Sequence, residues 1–264
     1  MKYSFMTFST PTLDLQEVLK TARRYGYDGI EPRLDSGHRH GVEVEATPAR
    51  RIAIRDNVLR SGIHMCCLAT SLRYADPAQT DDVIEQTHER IDLAGDLEVS
   101  RMRVFGGILG EGLDREQAID LVAKSLGKVA DHAAERGVTL CMETHDAWCD
   151  PKNVAAVLSR VSHPAIACNW DIMHPVRTHE ATIDESFSCL QQWIRHVHAH
   201  DGVGENVKLV PIGEGEIDHK RTIELLLDAD YSGYISGEWI NWEPYETHLP
   251  RELATLKRYQ QEAQ

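Results

Sequence analysis

Short apolar segments alternate with longer amphipathic ones along the whole chain. The apolar segments are rich in β-branched, aromatic and sulfur-containing side chains, and they predict strands at residues 3–8, 29–34, 64–69, 101–105, 139–143, 165–171, 196–200 and 233–238. In the stretches between them apolar residues recur with helical spacing, which predicts helices at residues 14–25, 47–60, 81–97, 115–136, 152–161, 183–195, 219–228 and 252–262.

This alternation of strands and helices predicts an α/β fold. A strand that is followed by a helix and then by another strand requires parallel pairing through right-handed crossovers. The even spacing favours a closed (β/α)₈ TIM barrel over an open doubly wound sheet. A dinucleotide-binding sheet would carry G-x-G-x-x-G after the first strand, where this chain has Ser9-Thr10-Pro11-Thr12. No linker divides the chain, so residues 1–264 are predicted to form a single domain.

The composition is that of a globular protein and limits the partners. Of 264 residues, 42% are hydrophobic and 27% are charged, and 28 basic against 42 acidic residues give a formal charge of −14. Because so acidic a surface repels phosphate backbones, we expect no nucleic-acid partner. No stretch approaches the roughly 20 apolar residues of a membrane helix, so no membrane interaction is expected.

The cysteines and the N-terminus favour a cytoplasmic location. None of the six cysteines forms a C-x-x-C pair, and three lie in apolar runs. We interpret them as buried reduced thiols, with a zinc site or a disulfide framework as the alternative. The first residues carry only a short apolar run and no small-residue cleavage signature, so a signal peptide is not expected.

Ionisable residues stand at the ends of four successive predicted strands. Glu143, Asp171 and Glu238 end strands five, six and eight, and histidines fill strand seven. Barrel chemistry lies at this carboxyl-terminal face, so we expect these side chains to converge. Buried carboxylates would repel one another without a cation, and mixed oxygen and nitrogen ligands suit Mn²⁺, Mg²⁺, Co²⁺ or Zn²⁺. The alternative is that each is an ordinary loop-edge charge paired with an arginine.

The order of these motifs carries a family resemblance. The motifs are Gly26-Tyr27-Asp28-Gly29-Ile30-Glu31, Glu143, Asp171-x-x-His174, His196-x-His198-x-x-Asp201, Gly213-Glu214-Gly215-Glu216-Ile217-Asp218 and Gly233-Tyr234-Ile235-Ser236-Gly237-Glu238. This set resembles the xylose isomerase-like barrel superfamily over nearly the full chain. Its members include hydroxypyruvate isomerase, the ketose 3-epimerases, inosose isomerase and dehydratase, and the second family of abasic-site endonucleases. The set is specific for the superfamily but not for one reaction.

The resemblance implies a metal site and a proton-transfer reaction. It assigns one divalent ion to Glu143, Asp171, His198 and Glu238. It also implies that Glu143 and Glu238 act as catalytic groups, which move a proton next to the carbonyl of a small sugar, keto-sugar or polyol through a metal-stabilised enediolate. The expected activity is that of an isomerase or epimerase.

Further residues are candidates for substrate binding. His174 matches the family's D-x-x-H and is expected to contact substrate or to support the metal ligands. His200 either faces substrate or is a polar rim residue, and His196, deeper in the barrel, is expected to face the core. Arg33 is either a substrate ligand or a solvated loop charge. Lys208 is the first cation after strand seven, where ketose 3-epimerases usually place an arginine, which argues against a specific ketohexose epimerase.

The roles of several other side chains near the barrel mouth are each open to two interpretations. Arg103, inside strand four, either reaches the pocket or balances carboxylates. The loop after strand two is long enough to cover the site and contains His38 and His40. The tryptophans at strand ends stack on sugar or pack in the core, and the remaining acidic candidates are expected to be solvated; these residues are Trp148, Trp170, Trp239, Trp242, Glu111, Glu205 and Glu243.

Three alternative functions stay open. A metal-dependent lyase or dehydratase acting next to a ketone begins with the same proton abstraction. An abasic-site endonuclease would need additional histidines at the ends of strands three and four and in the seventh loop, where this chain has none. A non-catalytic binding module is the third. The expected partner is a small carbohydrate, and a homo-oligomer is compatible with the fold because such barrels often form dimers or tetramers.

Overall fold

The computed structural model describes residues 1–204 and 208–264, so Glu205 lies outside the described residues. The strands are β1 (Lys2–Met6), β2 (Gly29–Glu31), β3 (His64–Met65), β4 (Leu68–Arg73), β5 (Arg101–Phe105), β6 (Thr139–Glu143), β7 (Ile166–Asp171), β8 (Ile194–Ala199), β9 (Asp201–Val203), β10 (Lys208–Val210) and β11 (Tyr234–Gly237). The helices are α1 (Leu15–Tyr25), α2 (Pro48–Ser61), α3 (Thr80–Asp96), α4 (Arg115–Glu135), α5 (Pro151–Val161), α6 (Met173–Arg177), α7 (Ile183–Leu190), α8 (His219–Asp228) and α9 (Tyr245–Glu262).

In the described part of the chain, nine strands form one parallel sheet that closes almost completely into a barrel. Its order is β3-β2-β1-β11-β8-β7-β6-β5-β4. β3 and β4 stand at opposite ends of this order but are separated in the chain only by Cys66 and Cys67, and a parallel bridge joins Arg33, just after β2, to Ala69 on β4. They are therefore two parts of one barrel strand. The predicted single-domain (β/α)₈ TIM barrel is confirmed.

Polar caps determine where the outer helices begin. The Asp14 carboxylate accepts the backbone N–H of Glu17, whose own carboxylate accepts the N–H of Asp14. This reciprocal arrangement satisfies two backbone donors that the first turn leaves free. The same capping box begins α4 and α7, from Asp114 and Thr182.

The structure corrects two predicted helix boundaries. α7 ends at Leu190 rather than at residue 195 because the chain turns there, with the Trp193 N–H donating to the Leu190 carbonyl, and β8 already begins at Ile194. α9 begins at Tyr245 rather than at residue 252 and contains Pro250. Proline removes one helical hydrogen bond. The buried side chain of Leu249 packs these roughly two added turns against the core.

A short antiparallel pair, β9 and β10, follows β8 at the carboxyl end of the barrel, and the sequence did not predict it. The six cysteines are free thiols, five of them buried, as the first interpretation of the sequence expected. Among the described residues, no helix has an apolar run long enough to cross a membrane.

Candidate active site

The carboxyl-terminal ends of four strands bring four ionisable side chains together. The strand register determines their positions along the barrel axis. Asp171 on β7 pairs with His198 on β8, and His198 pairs with Ser236 on β11, two residues before Glu238. Glu143 ends β6 beside them. Each of these carboxylates and the imidazole offers a ligand atom, and the four atoms all lie within 4.8 Å of one another, on buried residues. The four residues predicted as metal ligands therefore form one cluster.

His198 lies at the centre of the cluster. Its Nδ1 atom is 2.7 Å from Oε1 of Glu143 and 3.0 Å from Oε2 of Glu238. Burial lowers the pKa of His198, but the charges of Glu31 and Glu143 outweigh it and raise this pKa well above its usual value. Burial raises the pKa of Glu238, but the close contact and charge interaction with His198 prevail and lower it to about 2. The imidazole and the carboxylates thus stabilise each other's charged forms.

Glu31, the last residue of β2, supports this imidazole from the other side. Its Oε1 atom is 3.1 Å from His198 Nε2, and its Oε2 atom is 2.8 Å from Nε2 of His196, which is buried and faces the core as expected. Burial raises the pKa of Glu31, but His198 and His196 outweigh it and hold this pKa well below its usual range. In the sequence Glu31 stood out only as part of a family motif, because its strand was predicted to continue to residue 34. With β2 ending at Glu31, the strand-end argument that selected Glu143 applies to it as well.

Asp171 connects the cluster to both predicted substrate histidines. Its Oδ1 atom accepts the backbone N–H groups of Met173 and His174 at 2.9 and 3.3 Å. Its Oδ2 atom is 2.9 Å from His200 Nε2 and 3.7 Å from His174 Nε2. Burial lowers the pKa of His200, but the charge of Asp171 outweighs it and raises this pKa. Burial dominates at His174 and lowers its pKa to about 4.

A cavity of about 270 Å³ opens beside the cluster. Its polar lining comes from Glu238, His174, His200, His145 and Arg177. His174 and His200 therefore face the cavity, and for His200 this favours the substrate-facing interpretation. His145 and Arg177 were not among the residues predicted from the sequence. Both lie within a few residues of a strand end, and Arg177 is one helical turn beyond His174, so their spacing contained the signal.

The two cationic residues predicted to bind substrate, Arg33 and Lys208, differ in their exposure to solvent. Arg33 is only 9% exposed, and its guanidinium donates to Oγ of Ser71 at 2.6 Å and to the carbonyl of Ala69 at 3.3 Å. It is a buried cation rather than a solvated loop charge, and burial lowers its pKa to about 10. Lys208 is exposed on β10, whereas its neighbour Leu209 lines the cavity.

Arg103 balances a carboxylate of the cluster, one of its two predicted roles. Its Nε atom is 3.2 Å from Oε2 of Glu143, and its Nη1 donates to the Thr70 carbonyl at 2.8 Å. The guanidinium also lies over the ring of Phe105, 3.9 Å from its centroid. The positive charge of Arg103 therefore lies in contact with Glu143, one of the two predicted proton-transfer groups.

The remaining candidates are structural. His40 is fully buried, accepts the Val42 N–H at Nδ1 and lies 3.2 Å from the Arg33 carbonyl at Nε2, so it holds the loop together rather than covering the cavity. His38 contacts Oγ1 of Thr7 at 3.1 Å.

The tryptophans at the strand ends pack in or against the core. Three of them are fully buried, Trp148, Trp170 and Trp239, and Trp242 packs against the core from outside. Glu111 is exposed, and Glu243 pairs with Arg251 at 2.8 Å.

Two buried oxygen atoms at the cluster point to a cation. Among the described residues, Oε2 of Glu143 and Oε2 of Glu238 accept no well-aligned hydrogen bond, although they lie 3.2 Å from Arg103 Nε and 3.0 Å from His198 Nδ1, respectively. Leaving a buried carboxylate oxygen without a donor is costly, and a divalent cation removes that cost. Three carboxylates and one imidazole are ligands that Mn²⁺, Mg²⁺, Co²⁺ and Zn²⁺ accept. The residues of the cluster therefore fit a divalent ion.

Comparisons with known proteins agree with this architecture. The chain is 20% identical over 259 residues to fructoselysine 3-epimerase of Shigella flexneri, covering 94% of each chain. It is 24% identical over 234 residues to L-ribulose-5-phosphate 3-epimerase of Salmonella paratyphi B, covering 84% of this chain and 81% of the relative. The structure of a probable 3-DHS dehydratase from Bacillus anthracis superposes with a TM-score of 0.82 at 19% identity, over 97% of this chain and 99% of that one.

The family profile described as the xylose isomerase-like TIM barrel matches residues 19–259. This match includes every strand end that contributes to the cluster. The chain belongs to the xylose isomerase-like TIM barrel family.

Proposed function

We propose that the protein is a divalent-metal-dependent isomerase or epimerase that acts on a small sugar, keto-sugar or polyol by proton transfer through an enediolate. The observation that carries this proposal is the convergence of Glu143, Asp171, His198 and Glu238 within 4.8 Å, beside a cavity at the carboxyl end of the barrel. The names of the related sugar 3-epimerases support it.

The cluster would hold one ion, Mn²⁺, Mg²⁺, Co²⁺ or Zn²⁺. Bound there, the ion would polarise adjacent carbonyl and hydroxyl oxygens of the substrate and offset the negative charge that develops when the intervening C–H is deprotonated. Glu31 orients His198 for this role because it engages Nε2 and leaves Nδ1 directed at Glu143 and Glu238.

Glu143 and Glu238 are the groups that would move the proton. Oε1 of Glu143 and Oε2 of Glu238 approach His198 Nδ1 from two strands, at 2.7 and 3.0 Å. Oε2 of each carboxylate is buried and accepts no well-aligned hydrogen bond. One carboxylate takes the proton while the C–H electron pair passes towards the carbonyl oxygen. Return of the proton to the same carbon from the opposite face gives an epimer. Return to the neighbouring carbon, with the adjacent hydroxyl proton passing to the former carbonyl oxygen, gives an isomer.

The cavity histidines would orient the substrate. His174 and His200 line the cavity and are tied to Asp171, so their ring nitrogens are fixed relative to the cluster. The partner is a small carbohydrate rather than nucleic acid or membrane, and the setting is the cytoplasm. Elimination of water next to a ketone, the second candidate reaction, begins with the same proton abstraction.

Deuterium exchange tests the proposal. The metal-loaded protein is incubated in D₂O with a panel of ketohexoses and ketopentoses, and NMR follows deuterium at the carbon next to the carbonyl. The expected result is exchange with at least one substrate that stops on chelation and returns with Mn²⁺. Isomer or epimer products support the proposal, and an unsaturated product would move the assignment to a lyase. Exchange that chelation does not change would contradict it.

A further inference from the structure

Arg177 lines the cavity, and its Nε is engaged within the protein. It ends α6, one turn beyond His174, and its Nε atom donates to Nδ1 of His174 at 2.9 Å. This contact makes Nδ1 the acceptor and leaves the proton of a neutral His174 on Nε2, the atom nearer Asp171. Nε therefore positions a predicted substrate ligand, while Nη1 and Nη2 extend beyond it.

The two Nη atoms have no partner in the described part of the chain. Neither donates a hydrogen bond to a residue in 1–204 or 208–264, and no carboxylate there lies within 4.0 Å of Arg177. Two guanidiniums beside the cluster are committed, Arg103 to Glu143 and Arg33 to Ser71. Arg177 is thus a cation that lines the cavity and still has a planar pair of donors free.

The surroundings of Arg177 suit a small anion rather than a phosphate. A phosphate dianion in a barrel is usually held by several backbone N–H groups after strands seven and eight. Here the N–H groups of Gly213, Gly215 and Ile217 in that region already donate to the Asp201 carboxylate, at 2.8, 3.1 and 3.2 Å.

Part of the cavity lining is apolar. Met173, Leu209 and Ile240 complete the lining beside Arg177. A guanidinium with two parallel donors and an apolar wall matches the flat edge and the two oxygens of a single carboxylate.

We propose that the substrate carries a carboxylate, which Arg177 binds through Nη1 and Nη2 while the reacting carbons lie at the cluster of Glu143, Asp171, His198 and Glu238. The substrate class is therefore an acidic keto-sugar. This inference rests on the proposed function and adds the substrate's charge to it.

Three ligands with one carbon skeleton test the inference. D-Fructose, D-fructuronate and D-fructose 6-phosphate differ only in a hydroxyl, carboxylate or phosphate at C6. Isothermal titration calorimetry measures their Kd values on the Mn²⁺-loaded protein, on Arg177→Gln and Arg177→Lys, and on Arg258→Gln as a control on the exposed face of α9. Melting temperatures establish that each variant is folded.

The expected result is a preference for D-fructuronate over D-fructose of about tenfold or more, the size of a charge-assisted hydrogen bond. Arg177→Gln abolishes the preference, Arg177→Lys retains part of it because it keeps a charge without the planar donor pair, and Arg258→Gln leaves it unchanged. Equal binding of the two ligands by the native protein, no binding of either, or an equal loss for both in Arg177→Gln would overturn the inference. A phosphate preference that depends on Arg177 would overturn the carboxylate assignment.

Deuterium exchange on the same samples separates this inference from the proposed function. A carboxylate preference without exchange on any ligand would contradict the proposed function and support the role of Arg177. Exchange on neutral ketoses with no carboxylate preference would support the proposed function and overturn the role of Arg177.

Discussion

His198 Nε2 lies 3.1 Å from Oε1 and 3.2 Å from Oε2 of Glu31, although 167 residues separate the two in the chain. The same carboxylate also meets His196 at 2.8 Å. One residue on β2 thereby fixes two imidazoles on β8, and for His198 it determines which ring nitrogen faces the cluster. Carboxylates in this position raise the basicity of a ligating imidazole and hold its orientation.

Glu31→Gln is therefore expected to weaken metal binding. Two imidazole N–H groups donate to the carboxylate, and a glutamine offers only one acceptor oxygen. The expected loss of Mn²⁺ affinity is about 10- to 100-fold, the range for such supporting partners. Electron paramagnetic resonance of free Mn²⁺ measures it without reference to activity. Glu252→Gln, at another fully buried glutamate, is the matched control. A Kd for Glu31→Gln within twofold of the native value would show that Glu31 does not support the site.

Glu143→Gln and Glu238→Gln should separate metal binding from proton transfer. Glutamine keeps an oxygen that can ligate an ion but cannot accept the substrate proton. We expect each variant, at saturating Mn²⁺, to lose about 10²- to 10⁴-fold in the rate of deuterium exchange. The rim variant Glu243→Gln should exchange at the native rate. Full turnover by either cluster variant with metal bound would rule out its role in moving the proton.

His40 should make stability depend on pH. Burial lowers its pKa to about 4, whereas an unfolded histidine titrates near 6.5. Between these two pKa values the unfolded chain binds a proton at His40 and the folded protein does not. The contribution of neutral His40 is complete above pH 6.5 and falls as the pH drops towards 4, by about 2 kcal/mol between pH 7 and pH 5.

Urea unfolding at pH 7, 6 and 5 measures this dependence. His40→Gln should flatten the curve of unfolding free energy against pH, and His64→Gln, at an exposed histidine, should leave its slope unchanged. Parallel curves for the native protein and His40→Gln would show that His40 is not the group responsible.

Asp201 should be a structural residue of the loop that follows β8. Its carboxylate accepts N–H groups of Gly202 at 2.9 Å and of residues 213, 215 and 217 at 2.8, 3.1 and 3.2 Å. Asp201→Ala leaves these donors without an acceptor and should lower the free energy of unfolding by about 3 kcal/mol. Urea unfolding measures the change. Asp228→Ala, at an exposed helix end, should cost far less, and an equal cost would argue against this role.

The barrel and the main cluster follow from sequence because both depend on local patterns. Strand segments end at Glu143, Asp171 and Glu238 whichever way the helices pack, and parallel pairing brings such ends to one face. The period-2 alternation of strand seven also places residues 196, 198 and 200 on one face of the strand, although the family motif was needed to choose His198 among them.

The parts that sequence did not predict depend on contacts between distant residues. That Glu31 reaches β8 is a consequence of barrel closure, and that Leu209 rather than Lys208 lines the cavity is a consequence of how β10 pairs with β9. The start of α9 was misplaced because Pro250 normally ends a helix, whereas the buried Leu249 holds this one together.

Metal titration of the stripped protein, followed by deuterium exchange on the same sample, tests the central claim most directly. The predicted result is one Mn²⁺ per chain, exchange that rises in proportion to bound metal, and loss of both in Asp171→Asn combined with His198→Ala. Exchange at the full rate without bound metal, or one bound Mn²⁺ in the double variant, would contradict the account.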